Sequence, residues 1–496
     1  MLMIVLALLV TILLERAIFS PLLWEIRLTA VVSLVGLLPA ITTVLFFQHP
    51  NWIGLVIALF SIGRLGNLFR VAKARMHEDY LQRTTKRTSI ILCILQLLLL
   101  PFVTGIVPIS ITVTHLPFWV ALLQAIVALG LFTITCRNIV KTRYRQGTTF
   151  YTDRELPTVS LLIPARNETV DLEECLRSAL VSDYPKLEII VLDDCSQLKT
   201  SDIIKGFAHD GVRFVQGQEP TERWLAKNQA YQKLADEASG ELLLFCGVDV
   251  RFGPHAIKAL ATELLNRDKQ MISILPRRLS GSIAGAFIQP MRYWWELSLP
   301  RRLVNRPPIL STTWVIRRKM LKKLGGFGAV SHSILPEGVF ARELIKTDNY
   351  SFIRANDTLD IQTHKSFAEQ RATVIRTRYP QLRRRPENVI LLVIVELLFL
   401  LGPFVGLIYG LFTSDLVLVI MSSVSAITLI INHVMIVQLT SPPNVAVALF
   451  NFPIEVITEI LVSIISMTKY EFGTVEWKDR NVCIPVMHVV PRLPKA

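Results

Sequence analysis

The chain has 496 residues, of which 51% are hydrophobic and only 19% charged, against about a quarter charged in ordinary globular domains. That composition excludes a disordered chain and a collagen-like one, and it argues against a protein that is soluble throughout. The net charge of +14, from 53 basic and 39 acidic residues, suits a membrane protein with basic inner loops. It explains nucleic-acid binding only superficially, because the basic residues flank apolar runs, and nucleic acid is not an expected partner. The cysteines (Cys93, Cys136, Cys175, Cys195, Cys246, Cys483) are scattered with no CxxC pair, so neither a zinc site nor a disulfide framework is expected.

In chain order, the first elements are membrane spans. A hydrocarbon core asks for about 20 mostly apolar residues per helix. Residues 1–14 are apolar, Glu15 and Arg16 interrupt them, and 17–24 are apolar again. This run has no basic start and no small-residue cleavage site, so it reads as an imperfect first helix, not a signal peptide. Runs at 29–47, 52–69 (with Arg64), 90–113 and 117–136 follow. After a long polar stretch come 389–412 and 416–439, then 446–467, which carries Glu455 and Glu459. Six Lys and Arg crowd 70–87, and further basic residues lie at 137–145 and 371–385, whereas 49–51 and 114–116 have none. The positive-inside rule then places 137–387 in the cytoplasm of a multi-pass protein of the cell membrane. The expected organisation is about five helices in 1–136, a domain at 137–387, and a C-terminal membrane region with a basic tail at 388–496. The last apolar run is either a third C-terminal span or a helix in the interface plane. The interfacial reading keeps Lys469, Lys478, Arg480 and Arg492 inside. Glu396, inside an apolar run, is expected to face the bundle or a cavity, in a hydrogen-bonded packing role or as a protonated bystander more than in a functional one.

The polar region reads as α/β. Strand-like runs at 158–163, 187–192, 212–215, 241–245 and 271–275 alternate with helical patterns at 171–180, 201–208, 225–235 and 254–265. That alternation implies a mostly parallel, Rossmann-like sheet covered on both faces. Ligands of such sheets sit at the carboxyl ends of strands, and acidic residues cluster there: Asn167-Glu168, Asp193-Asp194, and Asp249 in Gly247-Val248-Asp249. No GxGxxG follows a strand and no GxxxxGK[ST] occurs. Carboxylates reach a diphosphate through a divalent cation, and hard oxygen ligands suit Mg2+ or Mn2+.

These residues resemble the membrane-bound members of glycosyltransferase family 2, whose catalytic domain has the GT-A fold. The resemblance covers about 137–387 and extends loosely to Thr474-Val475-Glu476-Trp477-Lys478-Asp479-Arg480, similar to the Trp-x-Gly-Arg ending of non-processive members that glycosylate lipid alcohols; Asp479 stands in place of the glycine. It implies a GT-A-like cytoplasmic domain inserted between transmembrane helices. By the same resemblance, Pro164, Asn167, Glu168, Asp193, Asp194 and Ser196 hold the nucleoside of a UDP-sugar. Trp224, Lys227 and Asn228 match a Trp-x-Gly-Lys-Asn-like segment, with Lys227 meeting phosphate charge. Asp249 is implied to ligate Mg2+ or Mn2+; Gly247 replaces the first aspartate of the family's Asp-x-Asp. Gly325-Gly326 and Ala341-Arg342 set the register that puts Glu337 at the position of the catalytic base. Gln381 and Arg384 match a Gln-x-x-Arg-Trp motif in which Arg385 replaces Trp, and Arg384 is implied to help hold the donor diphosphate; Arg383–Arg385 could equally anchor to inner-leaflet lipid.

The implied reaction is a single inverting displacement in which Glu337 deprotonates the hydroxyl of a lipid or other membrane-associated acceptor. Trp294, Trp295 and the apolar segment 287–299 could border the acceptor entrance or pack in the core. Two alternatives stand beside this reading. A processive polysaccharide synthase needs the aromatic platform that Arg385 replaces, and a non-catalytic binding protein fits the departures at Gly247, Pro336 and Glu337. A transporter leaves the strand-end carboxylates unexplained.

Overall fold

The computed structural model describes residues 109–144, 151–197, 199–221, 224–279, 291–299, 307–478 and 480–482. The expected spans before residue 90, and most of 90–113, lie outside the described residues. The chain divides into two compact units, Met1–Val120 and Ala121–Ala496. The α/β domain and the C-terminal helices belong to the second.

The first described helix, α1 (Ile109–Lys141), carries Pro117 inside it. The loop expected at 114–116 is therefore helical. Thr114 and His115 are polar but break no backbone hydrogen bond, so polarity alone does not end the helix.

Beyond α1, the expected alternation is present: β1 (Val159–Ala165), α2 (Val170–Leu180), β2 (Leu187–Asp193), α3 (Thr200–Gly206), β3 (Val212–Gln216), α4 (Ala226–Glu237) and β4 (Leu242–Cys246). It continues with β5 (Val250–Phe252), α5 (Ala256–Asn266), β6 (Met271–Leu275), β7 (Arg277–Leu279), α6 (Arg292–Ser298), β8 (Thr313–Arg317) and α7 (Arg318–Lys323). The domain closes with α8 (Pro336–Leu344), β9 (Tyr350–Arg354), β10 (Ile361–His364) and α9 (Phe367–Gln381).

A seven-stranded sheet has the order β3-β2-β1-β4-β8-β6-β9. All neighbours are parallel except β8, which runs antiparallel to both β4 and β6. Alternate side chains of β1 feed different cores, Leu162 on one face and Leu161 with Ile163 on the other. The sheet is thus buried on both sides, which is why its strands read as unbroken apolar runs. Pro164 does not end β1. The strand pairs with β4 only as far as Leu162 but with β2 through Ala165, so Pro164 lies where one neighbour is already gone and its missing N–H breaks no ladder. The strand order reverses between β1 and β4, and the crevice beyond their carboxyl ends is the expected ligand position. A smaller sheet, β5-β10-β7, stands beside it.

After α9 come α10 (Pro386–Val395), a π-helical stretch (Glu396–Leu401), α11 (Gly402–Thr413), α12 (Leu416–Thr440) and α13 (Val445–Glu471), then the short strands β11 (Glu476–Trp477) and β12 (Arg480–Asn481). The π-helical stretch ends just before Gly402-Pro403. Proline has no N–H for the carbonyl one turn earlier, so the ladder shifts there, and Gln124 of α1 donates to the carbonyl of Leu398 at 2.8 Å. Glu396 is fully buried in this stretch with no hydrogen-bond partner among the described residues. Four stretches among the described residues are long and apolar enough to cross a membrane: Leu116–Lys141, Pro386–Thr413, Leu416–Thr440 and Pro442–Glu471.

The last of these returns to the domain at both ends. Before α13, Ser441 donates to the carbonyl of Arg278 in β7 at 3.1 Å. At its far end Tyr470 donates to the carbonyl of Arg376 in α9 at 2.6 Å, and Ser466 accepts from the Tyr379 N–H at 3.0 Å.

Candidate active site

The strand ends are tied into one rigid rim. Asp193, the last residue of β2, is buried and accepts from the Ser196 N–H at 3.1 Å and from the Ser201 hydroxyl. Asn167 and Cys195 both take a left-handed backbone, with φ of 49° and 54°, a cost that clusters at functional sites. The Asn167 N–H donates to Ser196 Oγ at 3.0 Å, and its Oδ1 accepts from the Gln197 N–H at 2.8 Å. Gly217 closes the rim from β3: its N–H donates to Asp193 O at 2.8 Å, and a Cβ there would stand 2.5 Å from that same oxygen.

The C-terminal tail lies over this rim. Arg480 pairs with Asp194 at 2.7 Å and with Glu219 at 2.9 Å, and Lys478 pairs with Glu168 at 2.9 Å. Arg166 donates to the carbonyl of Lys478 at 2.9 Å. Burial pushes both Glu168 and Asp194 above the usual carboxylate range, although Lys478 and Arg480 each work against that. The buried Asp194, the half-buried Glu168 and two basic tail residues thus close one end of the crevice.

A cavity of about 530 Å3 begins beside Arg480 and Glu219 and reaches Lys227 and Arg376, with Trp224, Leu335 and Trp477 among its apolar walls. That volume falls in the range of ligand pockets. Arg376 lies over the Trp477 ring at 5.4 Å, and Lys227 over the Tyr231 ring at 5.0 Å. Burial lowers the Lys227 pKa to about 8; Glu337 opposes this, while Arg376, Lys365 and Arg292 add to it. Burial likewise lowers Arg376 to about 10.

Glu337 sits in the first turn of α8, with Pro336 at the helix start. It is fully buried, and neither carboxylate oxygen has a hydrogen-bond partner among the described residues. The loop that delivers it is held by Asn228, whose amide donates to the carbonyls of Val330, Ser331 and Ser333 at 2.9, 2.9 and 2.7 Å. Asn228 therefore fixes the approach to Glu337 from the start of α4.

Asp249 follows β4. Its Oδ2 accepts from Thr363 Oγ1 at 2.7 Å and pairs with Lys365 Nζ at 3.2 Å. Burial raises its pKa, but Lys365 and Thr363 more than offset this and hold it below the usual carboxylate range.

Of the residues singled out in the sequence, Pro164, Asn167, Glu168, Asp193 and Asp194 gather at the rim. Lys227 lies at the inner end of the cavity, coupled by charge to Glu337. Gln381 and Arg384 do not line the cavity; Arg384 lies over the Tyr470 ring at 4.8 Å. Arg376 takes the inward place instead, and nothing in a helix bearing several arginines marks which of them faces in. Trp294 and Trp295 are buried, with Trp295 beneath the Arg378 guanidinium at 5.5 Å. Lys365 gave no sequence signal.

Residues 160–325, within the α/β unit, match the family described as Glycosyl transferase family 2. The chain is 28% identical over 211 residues to "Probable glycosyltransferase YdaM" of Bacillus subtilis, covering 38% of this chain and 46% of that protein. It is 32% identical over 104 residues to "Glycosyltransferase AglE" of Haloferax volcanii, covering 20% of this chain and 32% of that one. The chain thus spans less than half the length of these curated relatives. Among solved structures, a mannosyltransferase from Pyrobaculum calidifontis in complex with GDP-Man and Mn2+ aligns over 73% of this chain and 97% of that one, at 17% identity and a TM-score of 0.39. TarS 1–349 of S. aureus with UDP-GlcNAc aligns over 64% of this chain and 92% of that one, at 15% identity and a TM-score of 0.32.

Proposed function

We propose that the protein transfers a hexosyl group from a nucleoside-diphosphate sugar, a UDP-sugar in the simplest case, to a hydroxyl of a lipophilic acceptor at the membrane surface, with inversion. The observation that carries this reading is Glu337: a fully buried carboxylate whose oxygens have no hydrogen-bond partner among the described residues, and whose charge acts on the buried Lys227 in the wall of a cavity that also reaches Arg480, the partner of Asp194. A buried carboxylate without hydrogen bonds is costly, and its position suits a base that gains its partner only when the acceptor hydroxyl arrives.

In this reading, Glu168, Asp193 and Asp194 hold the nucleoside, and the diphosphate points toward Lys227 and Arg376. The acceptor oxygen attacks the anomeric carbon while Glu337 takes its proton. The bond from that carbon to the diphosphate oxygen breaks, and the electron pair leaves with the nucleoside diphosphate. Lys227 and Arg376 meet the charge that develops there. One displacement inverts the anomeric centre. Arg385 in place of Trp speaks against a processive polymerase, and Gly247 is the feature that favours a binding protein without turnover.

The C-terminal helices support a membrane-surface acceptor. α10–α11 leaves the domain and α12 returns to it through a turn at 414–415 that carries no Lys or Arg. α13, about 40 Å long at 1.5 Å per residue, begins and ends on the domain side. A spanning helix has its ends on opposite faces of the bilayer, so α13 lies in the interface plane beneath the domain, and the tail follows it to the crevice from the cytoplasmic side.

The test is release of UDP or GDP from a panel of UDP- and GDP-sugars by the purified full chain, supplied with membrane lipid extract. Release by the wild type and not by Glu337→Gln supports transfer. Nucleotide binding without release from any donor supports the binding protein.

A further inference from the structure

The crevice holds cations beside Asp249, where the resemblance implies a metal. β10 pairs antiparallel with β5, setting Thr363 opposite Val250. That register brings Thr363 and Lys365 onto the same oxygen of Asp249, at 2.7 and 3.2 Å. Gly247 contributes no side chain, and a Cβ there would stand 2.5 Å from Asp249 Oδ1. No group of three His, Cys, Asp or Glu that could hold a metal occurs among the described residues. A divalent cation seeks several hard, anionic oxygens. Here it would find one carboxylate already engaged by a hydroxyl and an ammonium, and Lys365 beside it as a like charge. These residues do not fit a divalent cation.

They fit an anion. A small cavity of about 30 Å3, room for a phosphate oxygen and not for a whole diphosphate, is lined by Arg278, Arg292 and Lys365 with the hydroxyl residues Thr312 and Thr363, and by no carboxylate among the described residues. Lys365, Arg292 and Arg376 all act on the buried Lys227, so the cations share one region.

Resting on the nucleotide-sugar reading above, we propose that Lys365, held in place by Asp249 and Thr363, takes the part of the divalent cation, and that the donor diphosphate binds to Lys365, Lys227, Arg292 and Arg376 without a metal ion. Asp249 is then a positioning residue for an ammonium, not a metal ligand. An ammonium fixed by a carboxylate on one side can still donate to phosphate oxygen on another, because it has three N–H groups.

The experiment is calorimetric titration of the full chain in detergent with UDP and GDP, in excess EDTA and again in millimolar Mn2+. The expected result is a Kd in EDTA within about twofold of that in Mn2+, and Lys365→Met, checked for folding by its thermal melt, weakening binding at least tenfold. Lys365→Arg, which keeps the charge, should retain binding within a few-fold. The double variant Gly247→Asp/Lys365→Met should regain affinity only when Mn2+ is present. Binding abolished by EDTA and restored by Mn2+ overturns the inference and leaves the nucleotide reading standing. Lys365→Met binding as tightly as wild type also overturns it. Binding of neither nucleotide in either condition overturns both.

Discussion

On the proposed reading, Lys227 is the group through which pH reaches the donor. Burial lowers its pKa to about 8, with Glu337 opposing the shift and the charges of Arg376, Lys365 and Arg292 adding to it. The terminal phosphate of UDP, with a second pKa near 6, is fully ionised above about pH 7, so the nucleotide does not change charge over the range of interest. If only protonated Lys227 receives the diphosphate, about nine-tenths of the protein is competent at pH 7 and about one-tenth at pH 9. UDP affinity should therefore fall about tenfold between these pH values, close to one decade per pH unit above 8, equivalent to about 1.4 kcal/mol. Titration calorimetry at constant ionic strength reads this directly. Lys227→Met should bind more weakly at pH 7 and lose the pH dependence. An affinity for the wild type that stays flat from pH 7 to 9 would refute the placement of Lys227 at the diphosphate.

The same lysine makes an opposite prediction for stability. The unfolded chain keeps this proton up to a pKa of 10.5 while the folded protein gives it up near 8, so stability should rise with pH between those values, by up to about 3 kcal/mol. Comparison of the chemical denaturation of wild type and Lys227→Met at pH 7.5 and 9.5 isolates that term. Glu337→Gln should lower transfer about a hundred- to ten-thousandfold with UDP affinity unchanged within a few-fold, as read by steady-state kinetics and calorimetry together. Arg480→Ala strands the buried Asp194 carboxylate and should lower stability by about 1–3 kcal/mol, measured by thermal melts. Gly217→Ala places a methyl against the backbone of Asp193 and Asp194, whose nearest atoms would stand 2.5 and 3.0 Å away. It should weaken UDP binding by shifting the rim, without altering any side chain of the crevice.

The legible parts of the fold were those whose signal is local. β1, β2, β3, β4 and β6 each announce themselves as apolar runs between turn residues, and the acidic residues at their ends follow from strand polarity alone. β8 has no such advertisement of direction: Trp314 stacks on Phe245 of β4 at 4.4 Å, yet nothing within 313–317 says that the strand runs against its neighbours. Strand ends and helix starts mark Asp193, Asp194, Asp249, Lys227 and Glu337 as candidates in the sequence, and the roles given to them belong to the proposal above. What escaped depends on contacts between distant segments. Arg480 meets Asp194 across 286 residues, and Lys365 meets Asp249 only because β10 lies against β5. Long basic side chains near a bilayer read as inner-leaflet anchors, so charge alone did not separate Arg376, which faces the cavity, from Arg384, which lies over Tyr470.

The central claim is that Glu337 activates a lipid hydroxyl against a nucleotide-bound sugar. Inverted membrane vesicles containing the full chain, given UDP-sugars and GDP-sugars labelled in the sugar, test it most directly. The account predicts label in the organic-soluble fraction with wild type and background label with Glu337→Gln at equal protein level. Equal organic-soluble label from both proteins, or none from either with any donor, would contradict it.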